Sequence, residues 1–145
     1  MTVYLIRHAQ SKHNAFGTLL PNIDLSDYGK TQAKTLTGSP KLVIVSPLQR
    51  AWQTLEHSNI KYDHLMVSDL CREKMDGNII NHFPHEQPYS ETDEEIKTRV
   101  KQFLELLEEQ RKIHSEIYVI THAFFICNLV NIGLVYNCQK ILFKT

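Results

Sequence analysis

The stretch Val3-Tyr4-Leu5-Ile6-Arg7-His8-Ala9-Gln10-Ser11, with Asn14 just beyond it, sets the reading of the whole chain. Val3 to Ile6 form an uninterrupted apolar run of strand length, the pattern of a strand buried on both faces. The run stops abruptly at an arginine, a histidine and small polar residues. A buried strand that ends by projecting such groups into a loop makes a place for an anion, because the guanidinium fork matches paired oxygens. His8 is then a candidate nucleophile. Taken alone, Arg7 and His8 read equally well as ordinary polar residues at a strand end, and the rest of the chain has to decide.

Working outward, Leu42 to Val45 form a second buried strand, and Ser46-Pro47 open a helix through Ala51, Trp52 and Leu55, proline suiting a first helical turn. Leu65 to Leu70 read as a third strand. Ile117 to Ile120 read as a fourth, ending in Thr121-His122 and followed by a helix over 123–130. Residues 139–143 add an edge strand. A helix over 27–36 is capped by Ser26, with Tyr28, Ala33 and Leu36 as its weak apolar stripe. The clearest helix runs over 93–112, where Ile96, Val100, Phe103, Leu104 and Leu107 recur at helical spacing behind a Thr92/Glu95 capping box. This alternation predicts an α/β three-layer sandwich with a mostly parallel central sheet flanked by helices. Ligands of such sheets gather at the carboxyl ends of strands, where Arg7, His8, Ser46 and His122 all fall. The irregular stretch from Gly77 to Tyr89 is expected to be a surface loop lying over something.

With 145 residues and 42% hydrophobic content, the chain is expected to be a single domain spanning residues 1–145. Sixteen basic and sixteen acidic residues cancel, so no global field attracts nucleic acid or an anionic membrane, and any anion selectivity must be local. Cys71, Cys127 and Cys138 are odd in number, contain no C-x-x-C pair and accompany no secretory leader. They point to a reducing, cytoplasmic location without structural disulfides. The longest apolar run, around Ala123 to Val130, is interrupted by Asn128 and too short to span a bilayer.

Five separated segments then occur in one order: Arg7-His8-Ala9-Gln10-Ser11 with Asn14; Asp24-Leu25-Ser26, Gly29 and Gln32-Ala33; Ser46-Pro47-Leu48-Gln49-Arg50-Ala51; Leu70-Cys71-Arg72-Glu73 with Gly77; and Val119-Ile120-Thr121-His122-Ala123. In these the chain resembles the histidine phosphatase superfamily, the group that includes cofactor-dependent phosphoglycerate mutases, and its size makes it a compact member. The resemblance implies that His8 attacks phosphorus and carries the phosphoryl group. The other ring nitrogen of His8 should hold a proton, ideally donated to a backbone carbonyl. Arg7 and Arg50 correspond to the two arginines of the phosphate pocket and His122 to its second histidine. Asn14, Ser11 and the amide of Ala123 are further candidate phosphate donors. Glu73 corresponds to the proton donor, with Asp76 as a rival acid. The family usually has glycine after both histidines, so the methyl groups of Ala9 and Ala123 are expected to narrow the pocket slightly.

His82 and His85 sit in the irregular loop at a spacing that invites a metal reading, but no partner at a recognised spacing completes it, and a surface role is expected for both. Neither a metal nor a cofactor is expected. Only 49 positions separate Glu73 from His122, and the tail beyond is short, so the site should be open. An open site favours hydrolysis over mutase activity, which must keep water from the phosphohistidine. The expected substrate is a phosphate monoester, on a small molecule or a phosphoprotein. The alternatives are a phosphohistidine protein phosphatase, whose leaving group needs less protonation, a mutase-type phosphotransferase, and a catalytically silent module that binds a phosphorylated ligand. The sequence leaves the oligomeric state open.

Overall fold

The computed structural model describes residues 2–144. Its main sheet comprises β1 (Thr2–Arg7), β3 (Leu42–Val45), β5 (His64–Val67), β6 (Glu116–Thr121) and β7 (Lys140–Phe143), in the order β5-β3-β6-β1-β7. All neighbours are parallel except the edge pair of β1 with β7. A second, two-stranded parallel ribbon, β2 (Thr37–Gly38) with β4 (Asn59–Ile60), has no counterpart in the sequence reading. Two residues per strand leave no periodicity to detect.

Alternation along the central strands sends neighbouring side chains to opposite faces. Leu5, Ile44, Ile117 and Val119 point to one face, where α4 (Asp93–Arg111) and α5 (Ala123–Leu129) pack with Ile96, Phe103, Leu107 and Phe125. Ile6, Val43, Val45, Tyr118 and Ile120 point to the other, under Ala51 and Leu55 of α3 (Gln49–His57) and Leu36, which follows α2 (Asp27–Ala33). Three layers result, as the alternation predicts. The rings of Phe103 and Phe125 meet edge to face at 5.4 Å, which joins α4 to α5.

Several boundaries differ from expectation, each for a local reason. The Thr92/Glu95 capping box forms, and α4 begins at Asp93. Ser26 caps α2 through the amide of Gly29, but the helix ends at Ala33, short of Leu36. Pro47 precedes the helix instead of lying in its first turn; α3 starts at Gln49, with Leu48 at the cap position. The third strand stops at Val67 because the Ser68 side chain accepts from the amide of Leu70 and turns residues 69–71 into a single 3-10 turn. The loop after β1 contains an unexpected short helix, α1 (Lys12–Phe16), closed by a reciprocal capping box between Ser11 and Asn14. Gly29 lies so close to the Gln10 carbonyl that a Cβ would collide with it, so the family-like glycine is a packing requirement of the loop that carries His8.

Candidate active site

Strands β3, β6 and β1 lie side by side and parallel, so Ser46, His122 and His8 emerge together at their carboxyl ends. The register continues past the strands: the amide of His8 bonds the Thr121 carbonyl at 3.0 Å and that of Ser46 bonds the Ile120 carbonyl at 3.1 Å. Beside them lies a cavity of about 180 Å³ lined by Arg7, His8, Ser11, Asn14, Arg50 and Glu73, with His13, Asp76, Asn78, Ile80, Asn81 and Phe124 completing its wall.

His8 is 4% exposed. Its Nδ1 donates to the Ala9 carbonyl at 2.6 Å, and its Nε2 accepts from Arg50 Nε at 3.3 Å. This pair of bonds selects the tautomer with a lone pair on Nε2. Burial first, then the charges of Arg50 and Arg7, hold the imidazole well below its ordinary pKa, so it stays neutral and nucleophilic. The amide of Ala9 donates to Thr54 Oγ1 at 2.9 Å, which ties the loop to α3.

Arg50 is held equally firmly. Its Nη1 donates to the Ile80 carbonyl at 3.0 Å and its Nη2 to Asn81 Oδ1 at 2.6 Å. Burial brings its pKa down to about 10, which still leaves a full cation at neutral pH. Arg7 donates through Nη1 to the Val135 carbonyl at 2.7 Å, while its buried Nε finds no partner among the described residues. Two neighbouring guanidinium groups beside neutral imidazoles make a local anion site in a chain of zero net charge.

His122 is wholly buried, its ring centroid 5.2 Å from that of His8, and its Nε2 shares a 2.8 Å hydrogen bond with Ser46 Oγ. Its Nδ1 is unpartnered among the described residues. Burial, then Arg50, keep this ring neutral as well. His122 does not line the cavity, nor does Ala123; the His122 ring stands beside that of His8.

The Glu73 carboxylate is 7% exposed and accepts from three amides: Lys74 at 2.8 Å, Phe124 at 3.2 Å and Phe125 at 2.8 Å. Desolvation raises its pKa above the ordinary carboxyl value, with those amides and Arg50 opposing the rise. Asp76 lines the same cavity but is exposed, accepting from the amide of Asn78 at 2.9 Å.

A family model of the histidine phosphatase superfamily (branch 1) matches residues 3–69, a little under half of the chain. This match spans the strand-end histidine, both pocket arginines and the helix that carries Arg50. Over those residues the chain is similar to the histidine phosphatase superfamily. A Hydrogenobacter thermophilus protein provisionally named phosphoserine phosphatase 2 is 27% identical over 164 aligned positions, covering 91% of this chain and 80% of that protein. A Thermus thermophilus crystal structure superposes with a TM-score of 0.73 at 22% identity, over 98% of this chain and 92% of its own. An Entamoeba histolytica phosphoserine phosphatase, solved as a histidine-to-alanine mutant with phosphoserine, gives 0.70 at 16% identity, over 99% and 90%. At those identities the two solved structures show a common fold.

Several residues stand otherwise than expected. Ser11 Oγ accepts from the Asn14 amide and Asn14 Oδ1 from the Ser11 amide, so both cap α1 while bordering the cavity. The Ala9 methyl does not narrow the pocket, since it packs with Leu25 and Ala33. Ala123 packs against the core beneath α4 and is likewise absent from the cavity wall. His82 is fully buried instead of at the surface: Arg72 pairs with Glu86 at 2.8 Å and lies over the Phe83 ring, folding the loop inward so that His82 packs against Tyr89. His85 is exposed, stacked on Phe83. The site is also less open than the short interval implies, because Ile80 and Asn81 of that loop cover Arg50.

Asn81, Asn137 and Arg99 are site-building residues without a local sequence signal. Asn137 Nδ2 donates to the His8 carbonyl at 3.0 Å and to Asn14 Oδ1 at 3.3 Å, from a segment nearly the whole chain away. Arg99 on α4 pairs with Glu91 at 2.8 Å and donates to the carbonyls of Leu70, Arg72 and Glu73, clamping the turn that aims Glu73. Burial pushes the Glu91 carboxyl up, but Arg99, the Met75 amide and Lys74 together leave it lowered. Arg99→Ala strands a buried carboxylate and three carbonyls, and should cost about 3–5 kcal/mol of stability in urea unfolding.

Proposed function

We propose that this chain is a phosphatase hydrolysing phosphate monoesters through a covalent phosphohistidine on His8. The observation that carries the reading is the His8 imidazole: Nδ1–H committed to the Ala9 carbonyl, and Nε2 keeping its lone pair at the cavity between Arg50 and Arg7. The match of residues 3–69 to the histidine phosphatase superfamily model and a phosphatase-named relative support it.

In the first step His8 Nε2 attacks phosphorus, the bond from phosphorus to the ester oxygen breaks, and that oxygen takes the Glu73 proton as it leaves. Arg7 and Arg50 bind the phosphoryl oxygens, Arg50 withdrawing its Nε–H from His8 Nε2, which frees the attacking lone pair, and exchanging its contacts with Ile80 and Asn81 for the substrate. His122 braces His8 from the side, its ring 5.2 Å away. In the second step ionised Glu73 takes a proton from water, the water oxygen bonds to phosphorus, the phosphorus–nitrogen bond breaks and inorganic phosphate departs. Arginine and imidazole donors supply the electrophilic clamp, so the rate should survive a chelator. Three free cysteines, Cys71 among them buried, suit a cytoplasmic setting, and no described helix is long and apolar enough to cross a membrane.

Glu73 must be protonated in the first step, and its raised pKa places loss of that proton above the ordinary carboxyl range. The rate should therefore fall as pH rises through that value, while the depressed pKa of His8 moves the acid limb well below the usual histidine range. Glu73→Gln should remove the alkaline limb and lower kcat on alkyl phosphates by about 10²-fold or more. An unchanged profile would transfer the acid role to Asp76.

A second reading draws on one observation. The three amides around Glu73 also suit a permanently ionised carboxylate that serves α5, and an imidazole leaving group needs little protonation. A phosphohistidine protein as substrate fits that arrangement. Faster dephosphorylation of a phosphohistidine protein than of any ester, insensitive to Glu73→Gln, would establish it.

A further inference from the structure

We propose that the site takes monoesters of apolar alcohols, aryl or alkyl, that carry no second anionic group; this rests on the phosphatase reading above and names its substrate class. Two independent features carry it. The first is charge. Among the described residues Arg7 and Arg50 are the only lysine or arginine side chains lining the cavity, and both are occupied by the phosphoryl group in the proposed reaction. Beyond Glu73 the other carboxylate of the wall is Asp76, which is exposed; besides the site histidine His8, His13 is the wall's other imidazole. A second carboxylate or phosphate on the substrate meets Asp76 with no guanidinium or ammonium left to balance it.

The second feature is the apolar surface around the mouth. The Phe124 amide binds Glu73 Oε2, and the leaving oxygen must come to Glu73 for its proton, so Phe124 stands on the leaving-group side. Its side chain is 62% exposed and lines the cavity. One turn along α5, Cys127 Sγ contacts the Gly133 carbonyl at 3.3 Å, bringing Leu134, itself exposed, beside that helix. The Arg7 bond to Val135 and the Asn137 bond to Asn14 hold the same segment against β1 and α1, with exposed Tyr136 between them and exposed Phe16 two residues past Asn14. Phe124 lines the cavity itself, and Leu134, Tyr136 and Phe16 are left in water on segments that hydrogen bonds tie to the wall residues Arg7 and Asn14; apolar side chains so placed offer a binding surface. Its occupant is the organic part of the ester, because the phosphoryl group fixes which end of the substrate lies inward.

The test compares phosphate release by the full chain from 2-phenylethyl phosphate, O-phospho-L-serine and 3-phosphoglycerate, all esters of alkyl alcohols. The phenylethyl ester should show a kcat/KM about tenfold or more above the other two, carried mainly by KM. Phe124→Ser, and separately Leu134→Ser, should shrink that ratio several-fold; both side chains are exposed, so folding is not at stake. Asp76→Asn should improve 3-phosphoglycerate relative to the phenylethyl ester. Turnover of all three esters with equal or reversed preference, or a ratio unmoved by either serine variant, would overturn the substrate class and leave the phosphatase reading standing. No turnover of these esters, nor of 4-nitrophenyl phosphate, would remove both.

Discussion

His8→Ala is expected to lower kcat on every phosphate ester by about 10⁴-fold or more, because it removes the imidazole whose Nδ1–H is committed to the Ala9 carbonyl and whose Nε2 is left for phosphorus. His122, the nearest imidazole, shares its Nε2 with Ser46 and lies outside the cavity wall, so it cannot substitute. The substitution removes a side chain that is 4% exposed but whose hydrogen bonds run only to Ala9 and Arg50, so the fold should survive it. Rapid quenching of the wild-type protein during turnover of a phosphorus-32 labelled ester should trap acid-labile, base-stable label on protein, absent from His8→Ala. Wild-type turnover with no such label would indicate direct attack by water. Equal rates in both proteins would point to another nucleophile.

The second large effect is expected at Arg50. Arg50→Ala should reduce kcat/KM by about 10³-fold, since a preorganised fork in a buried position is lost both to the bound ester and to the transition state. It also frees the Nε2 of His8 from a cationic neighbour, so the pKa of His8 should move back up toward its ordinary value and the acid limb of the rate profile should rise with it. Arg50→Lys should recover little of the loss. A lysine can supply a charge but cannot reach His8, Ile80 and Asn81 with three separate donors. Loss of competitive inhibition by inorganic phosphate in both variants would locate the defect in phosphoryl binding. A near-normal rate in Arg50→Ala would show that Arg7 alone makes the anion site.

The loop over Arg50 adds a cost to binding. Asn81 Oδ1 and the Ile80 carbonyl satisfy the guanidinium in the free protein, and a buried cation without them would be expensive. A substrate phosphoryl group must replace these neutral acceptors with charged ones, which make the stronger hydrogen bonds. The same contacts keep the fork oriented before the substrate arrives, so little rearrangement is left for the chemical step.

Much of this site was legible because its pieces are local. Val3 to Ile6 followed by Arg7 and His8 announces both a buried strand and what stands at its end. Leu42 to Val45 followed by Ser46, and Ile117 to Ile120 followed by Thr121-His122, repeat the pattern, and parallel strands of such composition bring their carboxyl ends together. The capping box of α4 was legible for the same reason, its donor and acceptor lying three residues apart. The short helix α1 was missed, because five residues carry no period and Ser11 and Asn14 were read as ligands when their first use is to cap each other.

His82 shows where local reading stops. A histidine between asparagines and prolines looks solvated, and only the pairing of Arg72 with Glu86 across the loop turns it inward. The Ala9 methyl likewise could not be aimed from composition, since whether it faces cavity or core depends on Leu25 and Ala33 arriving from other segments.

The α/β alternation, the resemblance to the histidine phosphatase superfamily and the candidates His8, Arg7, Arg50, His122 and Glu73 were readable along the chain, because each rests on residues close together in it. What only the tertiary structure decided is the tautomer of His8, the cover over Arg50, the carboxylate cradle of Glu73 and the supports from Arg99 and Asn137. Those depend on hydrogen bonds between segments tens of residues apart, whose partners become specific only once the chain has closed around them.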